Sequence, residues 1–221
     1  DDGYLAPLDG CRVELDLDFS KIKTSKTTGD YQDNDIGKAM DSPSVHKAIV
    51  DKWLEKVGPG TFLGGQHGRF TVSYSGTTSG SENLAAAFRE AGICAEHTHG
   101  KMPKKHNDRV LEAFEQGSIR VLCNVSKLTE GWDAPHIECV IVARPTKSPG
   151  LYRQIAGRGT RLSPATGKTD CIIMDCVGAN ALGLHTLIDL SSPKSEHIPG
   201  IDPDIEEEEE LVLDKNAKQL E

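Results

Sequence analysis

Two arginines three residues apart stand in the segment Gln154-Ile155-Ala156-Gly157-Arg158-Gly159-Thr160-Arg161. On one helical turn, Arg158 and Arg161 can face a single anion together. Guanidinium groups suit phosphate because they are planar, permanently charged forks. Such a pair can also meet the charge that spreads over phosphoryl oxygens during transfer. Taken alone, the segment fits a surface pair making salt bridges equally well. A second segment, Thr129-Glu130-Gly131-Trp132-Asp133-Ala134-Pro135, follows an apolar run that ends at Val125. Gly131 permits a tight turn there, and Asp133 could accept a ribose hydroxyl or simply cap the turn before Pro135. The third segment is Thr98-His99-Gly100-Lys101, with Lys104, Lys105 and Arg109 beyond it. A glycine behind a strand exposes backbone N–H groups to a passing phosphate. A packed histidine and a solvated basic helix face are the plainer alternatives.

The elements that must position these residues alternate between strand and helix. Ser42-Pro43 reads as a helix start, with Ser42 as cap and Pro43 in the first turn. Val45, Ile49, Trp53 and Val57 would share one face of that helix, and Gly58-Pro59-Gly60 would end it. Strands are expected at Phe70 to Ser75, Ile93 to Thr98, Ile119 to Val125, Cys139 to Ala143 and Cys171 to Met174. Helices are expected at Ser81 to Glu90, Lys104 to Glu115, and from Leu151 to Ala156. Apolar strands alternating with helices imply an α/β fold with a parallel sheet covered on both faces. Ligands of such sheets bind beyond the carboxyl ends of the strands. The loops after Ser75, Thr98, Val125 and Ala143 are therefore where chemistry is expected. Residues 1–40 are polar and poorly periodic, with one short strand expected at Val13 to Leu17.

Charge and composition bound the reading further. The net charge is −9, which disfavours a nucleic-acid binder until its distribution is considered. Residues 200–221 hold nine acids against Lys215 and Lys218, and residues 1–20 hold six against Arg12. What lies between is mildly basic. The run Glu206 to Glu210 is expected to be a solvated, disordered tail. The six cysteines form no Cys-x-x-Cys pair, so a zinc knuckle is not expected. Cys123, Cys139 and Cys171 sit in apolar runs and are expected to be buried free thiols. No apolar run approaches the ~20 residues that span a bilayer, and the N-terminus lacks a signal-peptide pattern. A soluble cytoplasmic protein without membrane partners is the expectation.

The order and spacing of the three segments resemble the C-terminal domain of superfamily 2 helicases. Gln154 to Arg161 looks like motif VI, Q-x-x-G-R-x-x-R, and Gly131-Trp132-Asp133 like the G-x-D core of motif V. Phe70 to Thr77, ending in Ser75-Gly76-Thr77, sits where motif IV belongs, and His99-Gly100 looks like the H-G after the next strand. The resemblance covers roughly residues 45–190. Ala143-Arg144-Pro145-Thr146-Lys147-Ser148 and Leu151-Tyr152 look like the DEAD/DEAH-like branch that holds type III restriction subunits and RadD-like or Irc-like repair helicases.

The resemblance implies a RecA-like three-layer domain over residues 43–190. Residues 1–42 would be an irregular inter-domain connecting segment and residues 191–221 the acidic tail. It also implies an ATP-dependent motor on nucleic acid, with DNA expected over RNA, shared with an N-terminal RecA-like domain that supplies the phosphate-binding loop and the Mg2+ ligands. Arg161 and Arg158 would be the arginine fingers, with Asp133, Gly131 and Gln154 on the nucleotide. Ser75, Gly76, His99, Gly100, Asn124 and Ser126 would follow the nucleic-acid backbone. No metal ligands are expected in this chain. Two departures stand out. Val125 occupies a place often held by Thr, leaving that phosphate contact to Asn124 or Ser126. Asn107 occupies a place often held by Arg, with Arg109 two residues later. Neither G-x-x-x-x-G-K-[ST] nor D-E-x-H occurs in the chain. The alternative is a non-enzymatic module that binds nucleic acid or protein on a degenerate helicase fold.

Overall fold

The computed structural model describes residues 5–125, 132 and 134–179. Ser126, Gly131, Asp133 and the acidic stretch 191–221 lie outside the described residues. Among the described residues, six strands form one parallel sheet, in the order β1-β6-β5-β2-β4-β3. They are β1 (Leu8–Asp18), β2 (Thr71–Ser75), β3 (Ala95–Thr98), β4 (Val121–Asn124), β5 (Cys139–Ala143) and β6 (Cys171–Ala179). The helices are α1 (Asp33–Met40), α2 (Pro43–Lys56), α3 (Thr78–Glu90), α4 (Lys104–Glu115) and α5 (Pro149–Ala156).

Every residue of β2, β4 and β5 is buried, as expected for strands covered on both faces. The two-residue period of the strand divides their side chains between two cores. Cys123, Cys139, Ile141 and Met174 pack with α1, α2 and α3 on one face. Val72, Leu122, Val140 and Ile173 pack with α4 and α5 on the other. This is the three-layer arrangement that the alternating elements imply.

Local chemistry sets the helix starts. Ser42 caps α2 by accepting from the Val45 N–H, with Pro43 in the first turn. Thr77 caps α3 through the Gly80 N–H, which starts that helix earlier than Ser81. Ser148 caps α5 through the Leu151 N–H, followed by Pro149. Trp53 on α2 is fully buried, lies edge-on to Phe88 at 5.4 Å and donates from Nε1 to Thr71 Oγ1 at 2.8 Å. It pins α2 to both α3 and the first residue of β2.

The stretch before α2 is more regular than expected. β1 has eleven residues and pairs parallel with β6 from Leu8↔Cys171 to Leu15↔Gly178. It is an edge strand, so one apolar face suffices, and only Val13 and Leu15 along it are buried. That leaves a thin sequence signal for a long element. Gly37 on α1 lies against the loop after β2: a Cβ there would sit 2.3 Å from Thr77 Cγ2.

Asp30 ties the same stretch to the loop before α5. It is buried and accepts from Tyr31 N at 2.8 Å, Lys147 N at 2.7 Å and Thr146 Oγ1 at 2.5 Å, with Arg144 3.7 Å away. The Lys147 ammonium lies 5.0 Å from the Tyr31 ring centre.

Four of the cysteines, Cys123, Cys139, Cys171 and Cys176, are buried free thiols, and burial raises the pKa of each. Among the described residues, no helix is long and apolar enough to cross a membrane, and no group of three or more His, Cys, Asp or Glu could hold a metal ion.

Two stability predictions follow from this packing. Trp53→Ala should cost about 4 kcal/mol, by loss of apolar area and creation of a cavity; denaturant unfolding followed by circular dichroism measures it. Asp30→Ala strands several buried donors and should cost about 2–3 kcal/mol in the same assay, with Asp30→Asn costing less.

Candidate functional site

Because all strands are parallel, their carboxyl ends share one edge of the sheet. β5, β2, β4 and β3 are neighbours, so their ends at Ala143, Ser75, Asn124 and Thr98 lie side by side along it. Ser75 is buried at the end of β2, and Gly76 follows it half-buried, with its Cα-side face close to Gly37. The absence of a side chain at Gly76 therefore also serves packing: a Cβ would sit 3.2 Å from Gly37 Cα.

At the end of β3, His99 is half-buried and Gly100 exposed. The His99 Nδ1 accepts from Lys101 N at 3.2 Å, and its ring stacks on His97 at 6.0 Å. Asn107 explains one departure from the family pattern. It is buried, accepts from Thr98 Oγ1 at 2.6 Å and donates to the His99 carbonyl at 3.1 Å. It holds the His99-Gly100 loop from beneath, whereas Lys104, Lys105 and Arg109 remain exposed on the outer face of α4.

Asn124 requires a correction. It is fully buried, and its amide donates to the Ser73 carbonyl at 2.9 Å. A side chain pinned between β4 and β2 is not presented to a passing strand. The signal that marked it, a polar residue ending an apolar strand, belongs here to cross-strand bonding.

The arginine segment is built from α5. Tyr152 is buried against the sheet, its hydroxyl 2.9 and 3.0 Å from the two carboxylate oxygens of buried Asp175 on β6. That contact fixes α5 and leaves Gln154 on its exposed face. Beyond α5 the chain continues in tight turns, with Arg158 N bonding Ile155 O and Gly159 N bonding Ala156 O. Gly159 is pressed onto the start of β6: a Cβ there would lie 2.5 Å from Cys171 Sγ. The N–H of Ala6 donates to the Thr160 carbonyl at 2.7 Å.

Arg158 donates to the Trp132 carbonyl at 2.8 Å, so the structure brings the arginine turn to the segment that carries Gly131-Trp132-Asp133. Trp132 is itself held by a tilted contact with Phe114 and a 3.3 Å bond to Glu115. Arg161 is exposed.

The sequence reading missed three residues around this site. Tyr74 ends the core face of β2 with a buried hydroxyl that has no hydrogen-bond partner among the described residues. Burial pushes its pKa up to about 12, against the opposing pull of the Arg158 and Arg161 charges. Asp175 and Asp30 lie in no motif. For Asp175, the signal was an acid in the middle of an apolar strand, which must have a partner.

Residues 61–163 match the family described as the helicase conserved C-terminal domain. The chain is 27% identical over 219 residues to the putative ATP-dependent helicase IRC3 of Saccharomyces cerevisiae, covering 99% of this chain and 30% of that protein. It is 32% identical over 168 residues to a 51.5 kDa protein of a Lactococcus phage, covering 76% of this chain and 34% of that protein. The chain thus spans about a third of the length of these relatives. Among solved structures, the yeast DEAD-box splicing factor Prp28 shares the fold, with a TM-score of 0.50 and 15% identity over 80% of this chain and 30% of that one. Family match, relatives and parallel sheet point the same way: over residues 61–163 the chain carries a domain similar to the conserved C-terminal domain of superfamily 2 helicases, on a RecA-like parallel sheet.

Proposed function

We propose that this chain is the C-terminal motor half of an ATP-dependent DNA helicase or translocase of the Irc-like kind. The observation that carries the proposal is the arginine turn, which is anchored to β6 through Gly159 and to the Trp132 segment through Arg158. The site fits a polyphosphate. The buried phenol of Tyr74, which lacks a hydrogen-bond partner among the described residues, feels the charges of both Arg158 and Arg161. ATP, when bound with Mg2+, would supply the phosphoanhydride whose hydrolysis drives movement.

Arg161 is an exposed residue whose guanidinium is suited to meet the charge on the transferring phosphoryl group. Arg158 couples that position to the segment holding Gly131 and Asp133, which we assign to the nucleotide ribose. Gln154 stands on the exposed face of α5, one turn ahead of Arg158, and links nucleotide to strand. Ser75, Gly76, His99, Gly100 and Ser126 are assigned to the backbone of the bound strand. The phosphate cradle and the magnesium ligands are assigned to an N-terminal RecA-like domain, because the Walker sequences are not in this chain. DNA is preferred over RNA on the resemblance to repair and restriction helicases.

Two measurements test the proposal. The isolated chain should release no phosphate from ATP above background, and robust turnover by it would overturn the two-domain reading. In the complete polypeptide, Arg161→Ala should lower kcat about a hundredfold or more with ATP affinity nearly unchanged, because the lost contact belongs to the transition state. Arg161→Lys should rescue poorly, since a point charge does not replace the fork. A purely structural arginine gives the opposite pattern, a lower melting temperature with turnover per folded molecule preserved.

A further inference from the structure

Lys168 lies outside every motif, yet it is only 6% exposed. Its ammonium lies 2.8 Å from the carbonyl oxygen of Gly159, 2.8 Å from that of Arg161 and 3.2 Å from that of Pro135. Three donors therefore meet three acceptors, and none of the acceptors is a carboxylate. Burying an ammonium against neutral carbonyls is costly, and the cost is seen in a lowered pKa, with desolvation as its leading cause. An apolar residue would fill the same space without that cost. The arrangement makes physical sense if joining those three carbonyls matters.

The chain bends sharply to deliver this side chain. Ser163 O accepts from Thr166 N and Lys168 N, and Pro164 O accepts from Gly167 N. Gly167 takes the left-handed conformation, with φ 73°, that turns the chain back. Ser163 and Lys168 then form an antiparallel bridge. The reversal brings the Lys168 ammonium to the backbone of the arginine turn.

The three carbonyls come from two segments. Gly159 and Arg161 belong to the arginine turn, and Pro135 closes the segment that begins with the motif V glycine. Arg158 already bonds Trp132 O, three residues before Pro135. The two segments are thus joined by cations at two points. On its other side, Gly159 abuts Cys171 and cannot retreat.

We infer that Lys168 is a positioning residue that fixes the backbone of the Arg158–Arg161 turn against the motif V segment, and so aims Arg161. The inference rests on the arginine assignment proposed above. Lys168 acts through the carbonyls of Gly159 and Arg161.

The test is a double-mutant cycle in the complete polypeptide, comparing Lys168→Met, Arg161→Ala and the pair by steady-state ATPase kinetics, with a thermal melt on each preparation. Lys168→Met should lower kcat about tenfold or more with KM for ATP nearly unchanged, as expected of a misaimed group. On the Arg161→Ala background it should cause little further loss, because the group it aims is gone. Parental kcat per folded molecule in Lys168→Met, or the same fold-loss on both backgrounds, overturns the inference. If Lys168→Met does not fold, Lys168→Arg decides: a guanidinium cannot deliver three convergent bonds from one nitrogen, so kcat should fall in a folded protein. Parental kcat in that variant overturns the inference instead. Arg161→Ala at the parental rate removes the arginine assignment and this inference together. Arg161→Ala impaired with Lys168→Met at the parental rate removes this inference alone.

Discussion

All six strands run in the same direction, and the site depends on that constraint. A parallel sheet buries both faces, so each connection must cross back over one face before the next strand begins. Every carboxyl end then falls on one edge, and every amino end on the other. Ser75-Gly76 and His99-Gly100 are far apart in sequence but lie at the ends of strands flanking β4. The opposite edge shows what a structural use of charge looks like. There Arg69 pairs with Asp170, donates to Leu63 O and Glu138 O, and the Glu138 carboxylate accepts from Phe70 N. Those charges are spent on joining the starts of β2, β5 and β6.

The arginine turn obeys a different rule from the strand-end loops. It follows α5 along a face of the sheet, where Trp132, Ala134 and Ile137, ahead of β5, pack into the same core. Two crossings of one face, both packed against the core of Phe114, Tyr152 and Ile155, meet side by side. The guanidinium side chains are long and flexible, but the backbone beneath them is confined. Gly159 touches β6, Thr160 O takes the Ala6 N–H, and Tyr152 is anchored on Asp175. Electrostatic stabilisation is strongest where the charged group is held before reaction, so this confinement is consistent with the catalytic assignment.

Much of this was legible in the sequence because the period of two and the helix caps are local signals. The Ser42-Pro43 start and the apolar face of α2 were found, as was the fully apolar run that became β5. β1 was read too short because an edge strand needs only alternate apolar residues, and its acids hid the rest. Motif spacing located Arg158 and Arg161 but could not report what holds them. Asn124 shows the converse failure, since its place in the motif order suggested contact with a strand while its amide bonds to β2. Tyr152 and Asp175 are 23 residues apart, and Thr146 and Asp30 are 116 apart. Such pairs leave no periodic trace; they exist because a buried polar group must find a partner wherever the fold provides one.

Asp30 and Lys168 treat the two ends of the same segment alike. At its start, a buried carboxylate gathers N–H and O–H donors from Tyr31, Thr146 and Lys147. Beyond its end, a buried ammonium gathers carbonyls from Gly159, Arg161 and Pro135. Between them lie Ser148, α5 and both arginines. Each ion is bonded largely to neutral groups on separate stretches of chain, which is a poor way to gain stability and an effective way to fix relative position. Removing one partner leaves the others buried and unsatisfied, so the penalty for misplacing the segment is larger than any single bond within it. On the proposed reading, in which a second domain engages the arginines, such constraints hold the arginine turn in place before that engagement.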